Sequence, residues 1–120
     1  MRLKVKKNKY GRGVYATSDI KAGSLILRDH LILLKRKDRY GPTICRYDFQ
    51  FDSEETPSGI GLGLSSLLNH SESPNCDFET FLIKGLPYVE VWAIKNIKKG
   101  QELKIFYGYD PTEAYQYEER

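Results

Sequence analysis

The longest apolar stretch of the chain, residues 25–34 (LILRDHLILL), is broken in its middle by Arg28, Asp29 and His30. It is too short and too polar to cross a bilayer, which takes about 20 consecutive apolar residues. Its Ile and Leu content, with those interruptions, predicts successive strand segments rather than one helix. The rest of the chain has the same texture of short apolar runs closed by glycine-bearing turns. RLKVK at 2–6 alternates and predicts a half-buried strand running into the turn KKNKYG. Lys21, Ala22 and Gly23 predict a tight turn. Residues 77–83 and 88–94 read as two strands joined around 84–87, and NIKKGQE leads into a last strand over 102–107. In GIGLGL the glycines at 59, 61 and 63 leave one strip of backbone bare, while Ile60, Leu62 and Leu64 point together. The sequence shows no internal repeat and no low-complexity linker. The expected fold class is mainly β, assembled from several small sheets.

With 120 residues, 40% apolar and 29% charged, the chain reads as one domain over 1–120 that can bury a core without staples. Residues 35–61 form a polar insert holding Pro42, Pro57 and the acidic DSEE. Its aromatics Tyr47, Phe49 and Phe51 have period-2 spacing and should share one side of a strand. Such loop-rich inserts on a rigid scaffold are where substrates are usually contacted. Residues 111–120 form a short tail, with a turn at Asp110 and Pro111 ahead of a helical stub. Cys45, Cys76, His30 and His70 are too dispersed for a zinc site, though a disulfide stays open. The N-terminus is charged with no long apolar run behind it, so no signal peptide is read.

The net charge of +3 is unevenly spread. Arg2, Lys4, Lys6, Lys7 and Lys9 occur without an acid, and KRKDR fills 35–39. Acids gather at Asp52, Glu54 and Glu55, then at Asp110, Glu113, Glu118 and Glu119. Clustered lysines can neutralise phosphates. Here they lie on no continuous helix, and the acids would repel a long polyanion, so nucleic acid is not the expected direct substrate.

The motif-bearing segments are GRGVYA at 11–16, NHSESPNC at 69–76 and ELKIFYGYD at 102–110. Gly11-Arg12-Gly13 alone says little. Together, in the order GRG, IKAG, GLGLSSLLNHS, KKGQELKIFYGYD, these segments resemble a SET domain over essentially the whole chain. The size is similar to the minimal stand-alone members of viruses and bacteria, and the YGYD ending is also like some larger eukaryotic relatives. The resemblance implies a SET-domain fold with pseudoknot-like threading of the C-terminal strand past the asparagine–histidine box. It implies methyl transfer from S-adenosyl-L-methionine to the side-chain amine of a lysine. The acceptor would be a basic protein or peptide, a histone tail or a ribosomal protein among the candidates. Localisation would be intracellular, cytoplasmic or in a host nucleus if the acceptor is histone. No membrane partner is implied. Glu72 stands where many relatives carry the cysteine of an NHSC box, and Phe106 where they have an aspartate. The cysteine-rich zinc-binding tail of many histone-directed members is missing, so no metal is expected.

Lysine methylation needs a neutral amine placed in line with a sulfonium that leaves as a neutral thioether. Positioning, desolvation and oxygen acceptors suffice, so a Ser/His/Asp set or paired carboxylates are not called for. Tyr107, beside Gly108 at the end of an apolar strand, matches the family tyrosine whose hydroxyl lies at the transferring methyl. By the same resemblance Tyr109 and Tyr47 line the lysine channel. Asn69 and His70 would meet the adenosine and amino-acid portions of the cofactor, largely through backbone, with His70 no general base. Gly11 and Gly13 would let the backbone approach the cofactor, leaving Arg12 exposed. Phe78 stands where relatives that stop at monomethylation carry a tyrosine, which implies a product beyond monomethyl-lysine. Leu67, Leu68, Val89, Val91, Ile105, Trp92 and Cys76 are assigned to the core, and Asn75 to fastening the turn behind the box. Relatives this short imply a homodimer, with Tyr115 and Tyr117 of the tail as candidate interface residues. The readings left beside catalysis are a non-catalytic SET-like binding module and a basic nucleic-acid-associated protein.

Overall fold

The computed structural model describes residues 2–35, 48–50 and 58–107. Over these residues the chain is mainly β, with no α-helix. Strands β1 (Leu3–Asn8) and β2 (Gly11–Ala16) form an antiparallel hairpin around Lys9 and Tyr10. β3 (Leu25–Leu34), β4 (Asp48–Gln50) and β5 (Ser58–Gly61) follow. A 3₁₀ turn, Leu64–Leu67, leads to the two-residue β6 (Asn69–His70). Then come β7 (Cys76–Ile83), β8 (Leu86–Ala93) and β9 (Glu102–Ile105). One sheet has the order β1-β2-β9-β6 and the other β4-β5-β3-β8-β7.

β3 is a single ten-residue strand, not the successive segments expected. Its polar centre is accommodated because the strand changes partner there. Leu25 to His30 pair with β8 across a bulge at Leu25/Leu27, and Leu31 to Leu34 pair with β5. Arg28 bonds the Glu90 carboxylate opposite it at 2.7 Å, and Asp29 accepts the Ser65 N–H at 3.0 Å. The β7–β8 hairpin turns on Lys84 and Gly85, whose φ of 50° and 81° suit a two-residue turn that matches strand twist. Along β8, Val89, Val91 and Ala93 are buried. Trp92, expected in the core, falls between Val91 and Ala93 and so faces the other side of the sheet.

Other boundaries shift for equally local reasons. β1 is an edge strand, so it is mostly exposed rather than half-buried, and only Leu3 packs against the core. β5 stops at Gly61, because Gly63 lies against the Asp29 carboxylate and the chain bends into the 3₁₀ turn. Leu62 is therefore exposed instead of sharing a face with Ile60 and Leu64. β9 ends at Ile105, two residues before Tyr107. Phe49 is buried on β4, whereas Tyr47, Phe51, Cys45, Tyr109 and the 111–120 tail lie outside the described residues.

Segments 17–24 and 94–101 are two of the connections between the sheets, and they pair with each other about a local two-fold. Ile20 and Ile97 exchange N–H···O bonds of 2.7 and 2.8 Å. Ala16 pairs with Gln101 and Gly100 just as Ala93 pairs with Ser24 and Gly23. Asp19 Oδ1 accepts the Lys99 N–H at 2.9 Å, and Asn96 Oδ1 accepts the Ala22 N–H at 3.0 Å. Gly23 and Gly100 occupy matching positive φ of 86° and 91°. This local two-fold clasp seats Ile20 and Ile97 beside Val14 and Leu103 of one sheet and Val89 and Val91 of the other, in one core.

Candidate active site

β6 runs parallel to β9, with Asn69 opposite Lys104 and His70 opposite Ile105. Asn75 fixes this register. Its Nδ2 donates to Glu102 O and its Oδ1 accepts the Lys104 N–H, both at 2.9 Å. It therefore fastens β9 rather than only its own turn. Past β9 the chain carries Tyr107 alongside Leu68. The Tyr107 hydroxyl donates to Leu68 O at 2.6 Å, and its N–H donates to His70 Nδ1 at 3.0 Å. Nδ1 of His70 is thus an acceptor, which places its proton on Nε2, donating to Glu72 Oε1 at 3.1 Å. The imidazole packs against Phe106 and Tyr107, with centroids at 5.3 and 5.1 Å. His70 holds the tyrosine's backbone and ring.

Asn69 spends both amide protons on protein acceptors: Arg12 O at 2.9 Å and Glu102 Oε2 at 2.7 Å. The same Glu102 carboxylate abuts Gly13, where a Cβ would collide with it and meet the Asn8 amide at 2.7 Å. Gly13 is buried, and its own neighbours leave no room for a side chain. Gly11 differs. At φ +109° a Cβ there would have nothing within 4 Å, so its backbone is open.

These residues enclose a cleft of about 260 Å³. Tyr10, Gly11 and Arg12 of the β1–β2 hairpin form one wall, Ser66, Leu67 and Leu68 another, and Asn69 and Tyr107 complete it. Of the residues singled out from sequence, Gly11, Arg12, Asn69 and Tyr107 come together, and His70 stands behind Tyr107. Phe78 lies elsewhere, packed edge-on against Phe49 with centroids 4.9 Å apart. Tyr47 and Tyr109 are outside the described residues. Leu67, assigned to the core, is only partly buried and lines the cleft. Sequence reasoning missed Tyr10, Ser66 and Glu102. The alternation of ELKI, with Leu103 and Ile105 inward, turns Glu102 toward Asn69 and was the available signal for it.

The SET domain family pattern matches residues 11–108, and the chain belongs to that family. Among relatives, the "Histone-lysine N-methyltransferase trithorax" of Drosophila virilis is 31% identical over 108 residues, which cover 83% of this chain and 3% of that protein. The "Histone-lysine N-methyltransferase, H3 lysine-37 specific" of Schizosaccharomyces pombe is 27% identical over 100 residues, covering 82% of this chain and 67% of that one. A solved Plasmodium falciparum structure, provisionally assigned as a histone methyltransferase, superposes with a TM-score of 0.76 at 24% identity. It covers 91% of this chain and 95% of that one, a likeness of fold. The chain spans only a few percent of the length of the trithorax relatives it matches.

Proposed function

We propose that this protein is a protein-lysine N-methyltransferase that uses S-adenosylmethionine and acts on a basic protein or peptide, a histone tail being the leading candidate. The observation that carries the reading is Tyr107, fixed at both its hydroxyl and its N–H on the wall of a cleft shared with Gly11, Arg12 and Asn69. SET-domain relatives named as histone-lysine N-methyltransferases support it. The cleft suits the cofactor in chemistry: open backbone at Gly11, an exposed Arg12 for a carboxylate, and apolar walls at Leu67 and Leu68. When bound, the cofactor supplies an electrophilic methyl on sulfur.

The chain's own part is placement and desolvation. A lysine amine of reference pKa ~10.4 must be neutral to attack, and water displaced by bound cofactor and acceptor favours that form. The Tyr107 proton is committed to Leu68 O, so the hydroxyl offers lone pairs rather than a proton to a reacting group. His70 cannot serve as base through Nδ1, which the Tyr107 N–H occupies.

Finer parts of the proposal follow from the family resemblance. Tyr109 and Tyr47 line the lysine channel, and Phe78 permits more than one methyl to be added. The parallel β6–β9 pairing supports a pseudoknot-like threading of the last strand. Likeness to the short stand-alone members, homodimerisation through Tyr115 and Tyr117, and a cytoplasmic or nuclear site of action belong to the same proposal. The test is incubation with methyl-labelled S-adenosylmethionine and a panel of histones, ribosomal proteins and lysate, followed by mass spectrometry. Label on lysine side chains is expected. Cofactor binding without label on any protein would favour the non-catalytic binding module.

A further inference from the structure

The hairpin that walls the cleft is also the most basic element among the described residues. Between residues 2 and 12 it carries Arg2, Lys4, Lys6, Lys7, Lys9 and Arg12 and no acid. β1 is the edge of its sheet, so Lys4, Lys6 and Lys7 are exposed. Lys4 and Lys6 lie opposite Tyr15 and Gly13, on the face turned away from the buried Val14. The Lys6 ammonium rests 4.3 Å above the Tyr15 ring. Lys104 of β9 extends the positive surface, 5.4 Å from the ring of Tyr10. Glu102, opposite Tyr15, is the carboxylate of that face among the described residues, and it is occupied by Asn69 and by Lys104 at 3.9 Å.

This surface conflicts with the proposed substrate. A basic acceptor protein nearing the cleft meets like charge, which slows encounter and weakens binding. A polyanion to which the basic protein is already bound removes the conflict, since its phosphates neutralise both surfaces. We propose that the β1–β2 hairpin docks on the phosphate backbone of nucleic acid, so that the enzyme reaches lysines of nucleic-acid-bound proteins. The substrate half of this inference rests on the methyltransferase reading; the docking half does not. Nucleic acid is favoured over an anionic membrane because, among the described residues, the exposed apolar side chains of the hairpin are Val5, on the face opposite to Lys4 and Lys6, and Tyr10, whose ring lies beside Lys9 and Lys104.

The test is fluorescence anisotropy of the full chain with a labelled DNA duplex across a salt series, with phosphatidylserine vesicles as the competing surface. The parent is expected to bind with log affinity falling linearly against log salt. The triple substitution K4Q/K6Q/K7Q should weaken duplex binding at least about tenfold and flatten the salt slope by about 1 for each phosphate no longer neutralised. K4R/K6R/K7R should bind like the parent, which separates charge from folding. Methyl transfer to a free acceptor peptide of no net charge, which the like-charge penalty does not touch, should be equal in all three proteins. Transfer to the same peptide conjugated to the duplex should fall about tenfold only in the Gln variant, in line with its weakened docking. The proposal is overturned if the parent shows no salt-dependent duplex binding, as expected of lysines that merely guard an edge strand. It is equally overturned if the Gln variant binds like the parent, or if vesicles bind more tightly than duplex. Duplex binding that obeys these expectations in a protein that methylates nothing would leave docking intact and remove the enzymatic reading.

Discussion

At the scale of single residues, Glu102 is the quiet centre of the site. Its carboxylate takes an amide proton from Asn69 and fills the space a side chain at 13 would need. Gly13→Ala should therefore cost about 1–3 kcal/mol, because Glu102 must leave Asn69 to make room. Urea unfolding would check this; an unchanged midpoint would mean that Glu102 moves freely. Cys76 gives a pH prediction. Burial, only partly offset by a backbone hydrogen bond from Lys104, pushes its thiol from the ordinary 9.0 up to about 12. Above about pH 9 the unfolded chain releases this proton while the folded one keeps it, so stability falls as pH rises, by up to about 1.4 kcal/mol per pH unit until about pH 12. Cys76→Ala should flatten that alkaline decline, read from denaturant midpoints at successive pH values. At Phe78 the product series decides. The parent should accumulate at least dimethyl-lysine, and Phe78→Tyr should shift the products toward monomethyl-lysine in a mass-spectrometric time course. The same distribution from both proteins would show that position 78, packed on Phe49, does not set the methyl number.

Among the elements, the clasp of 17–24 with 94–101 ties together two of the connections between the sheets and leads into β9. Asp19 and Asn96 hold it from opposite ends through equivalent bonds of 2.9 and 3.0 Å. Asp19→Ala and Asn96→Ala should each lose about 1 kcal/mol, and the double variant should depart from additivity because both brace the Ile20–Ile97 bridge. A neutral result at either position in chemical unfolding would deny the two-fold equivalence. This element also shows where sequence reading stops. The β7–β8 hairpin was legible, since alternation and Lys84-Gly85 specify it locally. The clasp was not, because only IKAG and IKKG repeat as letters while the duplication resides in backbone bonds between distant segments of the chain. Tyr107, Asn69, Gly11 and Arg12 were legible as a motif. Their meeting in one cleft depends on a parallel pairing that no spacing in the chain announces. Trp92 was assigned to the core, whereas the register of β8 turns it to the other face of the sheet.

For the whole molecule, two small sheets and their shared core place one fixed tyrosine, one open glycine backbone and a basic hairpin around a single cleft. Among the described residues that arrangement offers fixed hydrogen bonds and open backbone, which suits a reaction governed by placement. The measurement that tests this most directly is single-turnover transfer from methyl-labelled S-adenosylmethionine to an acceptor peptide, run on the parent and on Tyr107→Phe with cofactor affinity measured in parallel. We predict label on the lysine amine with the parent, and near-equal cofactor binding with transfer slowed by about 100-fold or more in the variant. A parent that binds cofactor yet transfers nothing, or a variant as fast as the parent, would contradict it.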